Sequence, residues 1–553
     1  MSHIFYQQYE NTSKHFHLVD VTCSTPKSQP MHNLPRSCFE ATGQHTDLSP
    51  DPKIKSYHCS IGSEETALSD ADIKREIESF LSAMGHRDDV LILPPDFTRF
   101  HSQSGKLTRL VAEYYNFVEV LSPPLNAVPA PEISQTTVPK IEIMPALGTH
   151  APMTKDQIRK MFGEKLADKD PFLVHDWRND VVTIGEVPAE LVSRATYNMV
   201  NRPWPAQLNK RVWEKRMSQN ERNPLVLSIG QVVPHEVMGM ANFNKNVFVG
   251  VGGVEAINLS HFIGAVHGME KMMGRADNPL RAILNYASEK YLQNELDLWY
   301  ILTVMGTNDE GELQMRGLYI GNDIDCYTQA CALSLKVNFT LLQRAPKKVV
   351  VFLDGDEFHS TWLGNKAIYR TRMAIADGGE LIILAPGVKR FGEDDTVDIL
   401  IRKYGYIGTP QIMKAMEENE ELKENLSAVA HLIHGSSEGR FTVTYCPGYL
   451  TKEEVEGVGF LYSDLGEMQK IYNVDELKEG WNQGNGDTNN EEFFFVSNPA
   501  LGLWAIENRF EEGDQGNIKY VPTDVSGSFV DKNQKAVGES GGVGGWKKSP
   551  TLP

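Results

Sequence analysis

"KIEIMPALGTHAPMTKDQIRKMFG", Lys140 to Gly163, is the stretch on which the fold turns. "KIEIMPAL" has the length and apolar run of a buried strand, "GTHAP" is a loop, and "MTKDQIRKMFG" is a helix. Thr154 and Gln157 stand at capping-box spacing. The hydroxyl can accept the N–H three residues on, and the amide can reach back to the Thr154 N–H. A strand feeding through a short loop into a helix is the repeating unit of an open parallel sheet.

The same grammar recurs along the chain. "DDVLILPP" (88–95), "PLVLSIG" (224–230), "KKVVVFLD" (347–354) and "GELIILAP" (379–386) read as buried parallel strands. "SDADIKREIESFLSAMG" (69–85) reads as a helix with Ser69 as N-cap and Gly85 as its stop. "NKAIYRTRMAIADGG" (365–379) reads as another helix. The expected architecture is therefore α/β, with two domains of mostly parallel sheets flanked by helices and an active site in the cleft between them. The expected division is an N-terminal extension over 1–55, an α/β domain over 56–272 and a second over 273–440. A segment packing on both follows at 441–510, and a glycine-rich flexible tail at 511–553. The boundary is placed in "MMGRADNPLRA" (272–282), and proline-rich 115–140 reads as an inserted loop.

The 553 residues exceed what one ordinary core organises. With 41% hydrophobic and 23% charged residues the composition is that of a globular protein. A formal net charge of −19 without a compensating basic block excludes a general nucleic-acid binder. No run of 18 apolar residues offers a membrane span, and the first twenty residues lack a secretory pattern. Cys23, Cys38, Cys59, Cys326, Cys331 and Cys446 form no CxxC pair, which suits a reducing cytoplasm. A cytoplasmic protein is expected.

Ligands in open α/β sheets bind beyond the carboxyl ends of the strands. Asp96, Thr98 and Arg99 follow the first strand, His150 the second, His235 and then Lys245 the third, and His359 and Lys366 the fourth. Each has an ordinary reading. Arg99 can simply pair with Asp96, a histidine after a strand can be a hydrogen-bonded structural group, and Lys245 can extend to solvent. His261 can be one polar residue on a helix beside the core. Together they compose a site for an anion and for proton transfer.

The positions also fall into one pattern. His235, Lys245 and His261 lie ten and sixteen residues apart, with "DFTR" (96–99) and "GTHAPMT" (148–154) before them. "HDW" (175–177) and "GNKA" (364–367) fit the same order. This resembles the nickel-dependent lactate racemase family over about residues 55–440, insertions apart. The resemblance implies a racemase or epimerase that inverts C2 of a 2-hydroxy acid by hydride transfer. It implies a nickel-pincer nucleotide (pyridinium-3-thioamide-5-thiocarboxylic acid mononucleotide) tethered to Lys245, with His261 as the protein's nickel ligand. Two sulfurs, a ring carbon and an imidazole suit a square-planar nickel ion. By the same resemblance His150 and His235 are the catalytic bases, and Arg99, Lys366, Asp96 and Trp362 form the substrate set. Within that set Asp96 orients Arg99 or His150. The implied partners are a small 2-hydroxy acid and the enzymes that mature the cofactor.

Two departures stand out. Asn242 and Phe243 occupy the place of a glycine pair ahead of the lysine, where backbone would approach a ligand closely. Leu363, beside Trp362, replaces a polar glutamine. These changes leave two substrates open, lactate and a larger 2-hydroxy acid such as a sugar acid or a dicarboxylic hydroxy acid. Tyr369, Arg370 and Arg372 either reach the pocket or face solvent. Two other readings stay open: a binding protein that kept the fold without the cofactor, and an NAD-linked oxidoreductase. Against the latter, "GVGGVEA" (250–256) is not GxGxxG. A hydrolytic zinc site is a poor third reading, because no HExxH or comparable ligand spacing appears.

Overall fold

The computed structural model describes residues 57–118, 138–217, 223–308, 311–484, 491–507 and 509. The expected N-terminal extension, the core of the 115–140 insertion and the 511–553 tail lie outside them.

The first sheet has six strands: β1 (Tyr57–Gly62), β2 (Asp89–Leu93), β3 (Lys140–Ile143), β4 (Pro224–Gln231), β5 (Leu298–Thr307) and β6 (Leu313–Gly321). Their order is β1-β6-β5-β4-β2-β3. The four strands from β5 to β3 pair in parallel, and β6 and β1 add an antiparallel edge. Every residue of β2 and β4 is buried, as a strand covered on both faces requires. The first helix, α1 (Asp70–Met84), begins at Ser69 in a capping box with Asp72 and ends at Gly85. The helix α2 (Lys155–Phe162) opens with the expected Thr154–Gln157 box.

The second sheet holds β7 (Lys348–Phe352), β8 (Glu380–Ala385), β9 (Thr442–Pro447), β10 (Leu461–Tyr462), β11 (Gly480–Gln483) and β12 (Glu492–Val496). Its order is β10-β9-β8-β7-β12-β11, parallel except for β11. The α/β architecture with parallel-rich sheets flanked by helices is as expected.

The expected domain limits do not follow the sheets. Residues 298–321 lie beyond the boundary drawn at 272, yet they supply β5 and β6, which sit inside the first sheet between β1 and β4. The reason is pairing: β5 lies parallel to β4 from Leu298 to Thr303, so the first sheet is incomplete without it. Likewise 441–510 is no segment laid on finished domains, because β9 and β12 flank β8 and β7 in the middle of the second sheet. Of the helix expected over 365–379 only Lys366–Thr371 forms, with a separate short piece, Thr361–Gly364, just before it. Met373 already bridges to Ala505, which ends the helix.

One apolar core runs between the sheets, from Leu91 and Val226 through Phe248 and Phe358 to Val496. Among the described residues no helix is long and apolar enough to cross a membrane.

At the amino end of the first sheet a buried ion cluster ties three elements. Lys215 Nζ donates to Asp89 at 2.6 Å and to Glu142 at 2.9 Å, and Arg211 grips Glu142 through both oxygens. Burial would raise Glu142, but Arg211 and Lys215 hold its carboxyl down at about 2. Lys215→Met would leave buried carboxylates short of a counter-charge. It is expected to cost about 3–5 kcal/mol, read by denaturant unfolding. A loss under 1 kcal/mol would show the cluster to be dispensable.

Candidate active site

The sequence-singled residues come from separate elements, and hydrogen bonds explain how they converge. Lys245 immediately precedes a π-helical turn, Asn246–Gly250, a geometry common at functional positions. Asn246 Nδ2 donates to Leu93 O and to Ser228 Oγ, both at 2.9 Å, which fixes the turn to the carboxyl ends of β2 and β4. The Gly148 N–H donates to Gly250 O at 2.8 Å and brings the His150 loop to the same place. His175 sits behind the turn. One nitrogen meets Gly252 O at 2.9 Å, and the other accepts from the Asn209 amide at 3.0 Å. "HDW" is thus a brace for the Lys245 turn. The glycines of 250–253 serve packing: a Cβ on Gly253 would stand 2.4 Å from Gln207 Oε1.

The glycine-pair departure has a structural answer. Asn242 and Phe243 both take left-handed backbone, at φ 66° and 60°. Asparagine tolerates that region, but phenylalanine does not, and such a residue costs about 1–3 kcal/mol. The neighbourhood holds the pair in place. The Phe243 ring packs against Tyr300 at 4.4 Å and stacks on Tyr327 at 5.1 Å. The Arg281 guanidinium donates to Met240 O, Asn242 O, Asn244 Oδ1 and Tyr327 Oη. Gly230 completes the seat, since a Cβ there would lie 2.0 Å from Asn242 Nδ2. The loop therefore keeps a glycine-like path without glycine.

Arg99, His150, His235, Lys245, His261, Trp362, Leu363 and Lys366 line one cavity between the two halves of the chain. Asp96 stands behind it. Its Oδ2 accepts from His150 Nδ1 at 2.6 Å and its Oδ1 from the Thr98 hydroxyl at 2.6 Å. Burial would raise Asp96, yet His150, Thr98 and Arg99 hold it at about 2. It orients His150 and does not reach the cavity wall. His359 does not line the cavity either.

Electrostatics favour an anion. Burial brings the Lys245 amine down to about 8, with Arg99 adding to the shift and Glu236 and Asp96 opposing it. Lys366 is likewise brought down to about 8 by burial and Arg99, against Glu236 and Glu357. Buried Arg99 Nη1 has no hydrogen-bond partner among the described residues. The His261 Nδ1 donates to Ile257 O at 2.7 Å, which leaves Nε2 as its free lone pair. Burial keeps this ring neutral, at about 4. His235 Nδ1 accepts from the Val237 N–H at 3.2 Å, so the neutral ring carries its proton on Nε2. Burial holds His235 well below its ordinary value; Glu236 opposes this, and Lys245 and Arg99 reinforce it.

Three wall residues escape a strand-end reading. Glu236 follows His235, and His431 and His434 sit on the helix Leu426–His434, which packs against the His261 helix, Val254–His267. Their signal was present: two histidines three apart in the apolar "AVAHLIHG" share a helix face. His431 is spoken for, bonded to Tyr369 Oη at 3.0 Å and Tyr406 Oη at 2.8 Å and stacked on Trp362 at 4.5 Å. Tyr369 lines the cavity. Arg370 is fully buried behind Glu236, their charges 3.6 Å apart, and Arg372 pairs with Glu270 at 2.6 Å.

Two parallel-rich α/β sheets enclosing a cavity of histidines, lysines and arginine define the class of protein. No protein-family model matches the chain. Over 250 residues it is 22% identical to the lactate racemase of Thermoanaerobacterium thermosaccharolyticum, a match covering 44% of this chain and only 51% of that enzyme. The structure of the lactate racemase apoprotein from that organism shares the fold, with a TM-score of 0.55 at 18% identity over 83% of this chain and 96% of that one. A Thermotoga maritima protein solved by structural genomics aligns with a TM-score of 0.66 at 22% identity, over 81% of this chain and all of that one. These matches show a shared fold with lactate racemase and a partial sequence similarity to it.

Proposed function

We propose that this protein is a nickel-dependent racemase or epimerase that inverts C2 of a 2-hydroxy acid. The observation that carries the reading is the convergence of Arg99, His150, His235, Lys245, His261 and Lys366 on one cavity. The residues fit a lysine-tethered nickel-pincer nucleotide. Lys245 has no ion-pair partner among the described residues, and its lowered pKa makes the neutral amine accessible for acylation. His261 presents a neutral Nε2, with Nδ1 fixed by Ile257 O as an oriented metal ligand would be. Among the described residues no three His, Cys, Asp or Glu side chains form a metal site of their own. His261 would therefore act with donors from the nucleotide.

When bound, the nickel-pincer nucleotide supplies reversible hydride acceptance from substrate C2. The chain supplies the rest. Arg99 and Lys366 hold the substrate carboxylate, Arg99 through a planar fork that can meet both oxygens. His150, its Nδ1–H fixed on Asp96, offers Nε2 as the base for the hydroxyl proton. His235, with Nε2 protonated, is poised to return a proton to the keto oxygen. One histidine would take the hydroxyl proton as C2 is oxidised and the other would return a proton to the keto oxygen as C2 is reduced, the two exchanging roles with direction.

Lys366 makes binding pH-dependent. It is a cation below about pH 8 and neutral above. KM for the 2-hydroxy acid is therefore expected to rise through about pH 8, and Lys366→Arg should remove that rise. A flat KM from pH 7 to 9.5 would take Lys366 out of carboxylate binding.

The test of the proposed function is intact mass and nickel content of protein co-produced with the cofactor-maturation enzymes. A mass addition on Lys245 with about one nickel per chain supports it. A bare Lys245, with a lactate racemase loaded in parallel, refutes it and favours the cofactor-free binding protein.

A further inference from the structure

The cavity wall presents chemistry that the proposed reaction leaves unused. Glu236 and His434 both line it. Glu236 Oε2, whose nearest counter-charge is Arg370 Nη2 at 3.6 Å, and His434 Nε2 are buried without a hydrogen-bond partner among the described residues, and His434 is only 3% exposed. A buried polar atom without a partner costs about 1–3 kcal/mol, so a ligand that satisfies both gains from each. Trp362 stacked on His431, Tyr369 and Leu363 line the same cavity.

These two atoms ask for a group that both donates and accepts. Burial would raise Glu236, but His235, Arg370 and Lys366 hold its carboxyl well below the usual range, so it is an acceptor only. Burial keeps His434 neutral, at about 3, so its ring nitrogen can donate an N–H without carrying a charge. A hydroxyl meets both needs. A second carboxylate does not: it would face Glu236 with like charge. Arg99 and Lys366 are engaged by the C1 carboxylate in the proposed reaction, and the Arg370 guanidinium lies behind Glu236, fully buried and away from the cavity wall. A purely apolar substituent would leave both polar atoms unpaired.

We infer that Glu236 and His434 form a subsite for a hydroxyl on the carbon next to C2, so that the substrate is a 2,3-dihydroxy acid of the sugar-acid kind. This rests on the proposed racemase activity and settles, within it, between the sugar acid and the dicarboxylic acid.

The experiment uses the full chain in two states. Cofactor-loaded protein is assayed with single enantiomers of 2,3-dihydroxypropanoate, lactate and hydroxybutanedioate, and the unloaded chain is tested for thermal stabilisation by the same acids. The dihydroxy acid is expected to exceed both others in kcat/KM by at least ~10-fold, since a site built around a hydroxyl rejects analogues lacking it. His434→Phe should narrow that ratio, and Glu236→Gln should raise the relative rate with hydroxybutanedioate. Lactate or hydroxybutanedioate turning over as well as the dihydroxy acid in the wild-type chain overturns the subsite whether or not the variants fold. Stabilisation by the dihydroxy acid alone, with no turnover by the loaded protein, keeps the subsite and removes the racemase. Neither turnover nor stabilisation by any of the three overturns both.

Discussion

Lys245→Ala protein, matured alongside the wild type, is expected to keep the wild-type fold but gain no mass beyond that of its chain, and its racemisation should fall to background. Lys245 lies in the turn that Asn246 pins to two strand ends. Its side chain reaches the cavity with no carboxylate partner among the described residues, so truncation breaks no ion pair. The loss should therefore be chemical: unfolding should stay within about 1 kcal/mol of the wild type. Lys245→Arg distinguishes charge from attachment. It restores the positive charge but offers no amine for a thioamide, and it should be equally empty. A normally loaded, active Lys245→Ala variant would sink the anchoring role.

The second large effect is expected at His150. Removing a positioned general base costs typically ~10²–10⁴ in rate, and His150→Ala should lose kcat within that range for both enantiomers. Both directions suffer because each uses one histidine to take the proton and the other to return it. Nickel content and the Lys245 mass addition should stay at wild-type levels, since His150 is placed on the substrate side. Asp96→Asn gives a graded control. It keeps the volume but withdraws the carboxylate that fixes His150 Nδ1–H at 2.6 Å, so kcat should fall by less than in His150→Ala while KM changes little. Undiminished turnover of both enantiomers by His150→Ala would remove it from the mechanism.

Much of this was legible in the chain. The apolar runs at 88–95, 224–230, 347–354 and 379–386 became parallel strands because a strand buried on both faces has little choice but continuous apolar sequence. The capping boxes at Ser69 and Thr154 formed because their partners lie three residues away. Arg99, His150, His235, Lys245 and Lys366 were found after such runs and His261 and Trp362 through the family resemblance, and the cavity collects them all. Glu236 and His434 were missed because neither is remarkable beside its own neighbours. Only the packing of the Leu426–His434 helix on the His261 helix brings His434 to the wall, across more than 170 residues of chain.

Local order, then, was set by the sequence itself: strand, loop, cap and the candidate chemistry at each strand end depend on interactions a few residues long. Tertiary structure alone decided which strands share a sheet, as when 298–321 joined the first and 442–496 the second. It alone decided that Asp96 serves His150 and that Arg370 is spent on Glu236. It also let Phe243 hold a left-handed backbone, because Tyr300, Tyr327 and Arg281 supply the contacts that offset its strain. Strand pairing, burial and charge compensation join residues far apart in the chain, and their free energies belong to the folded arrangement.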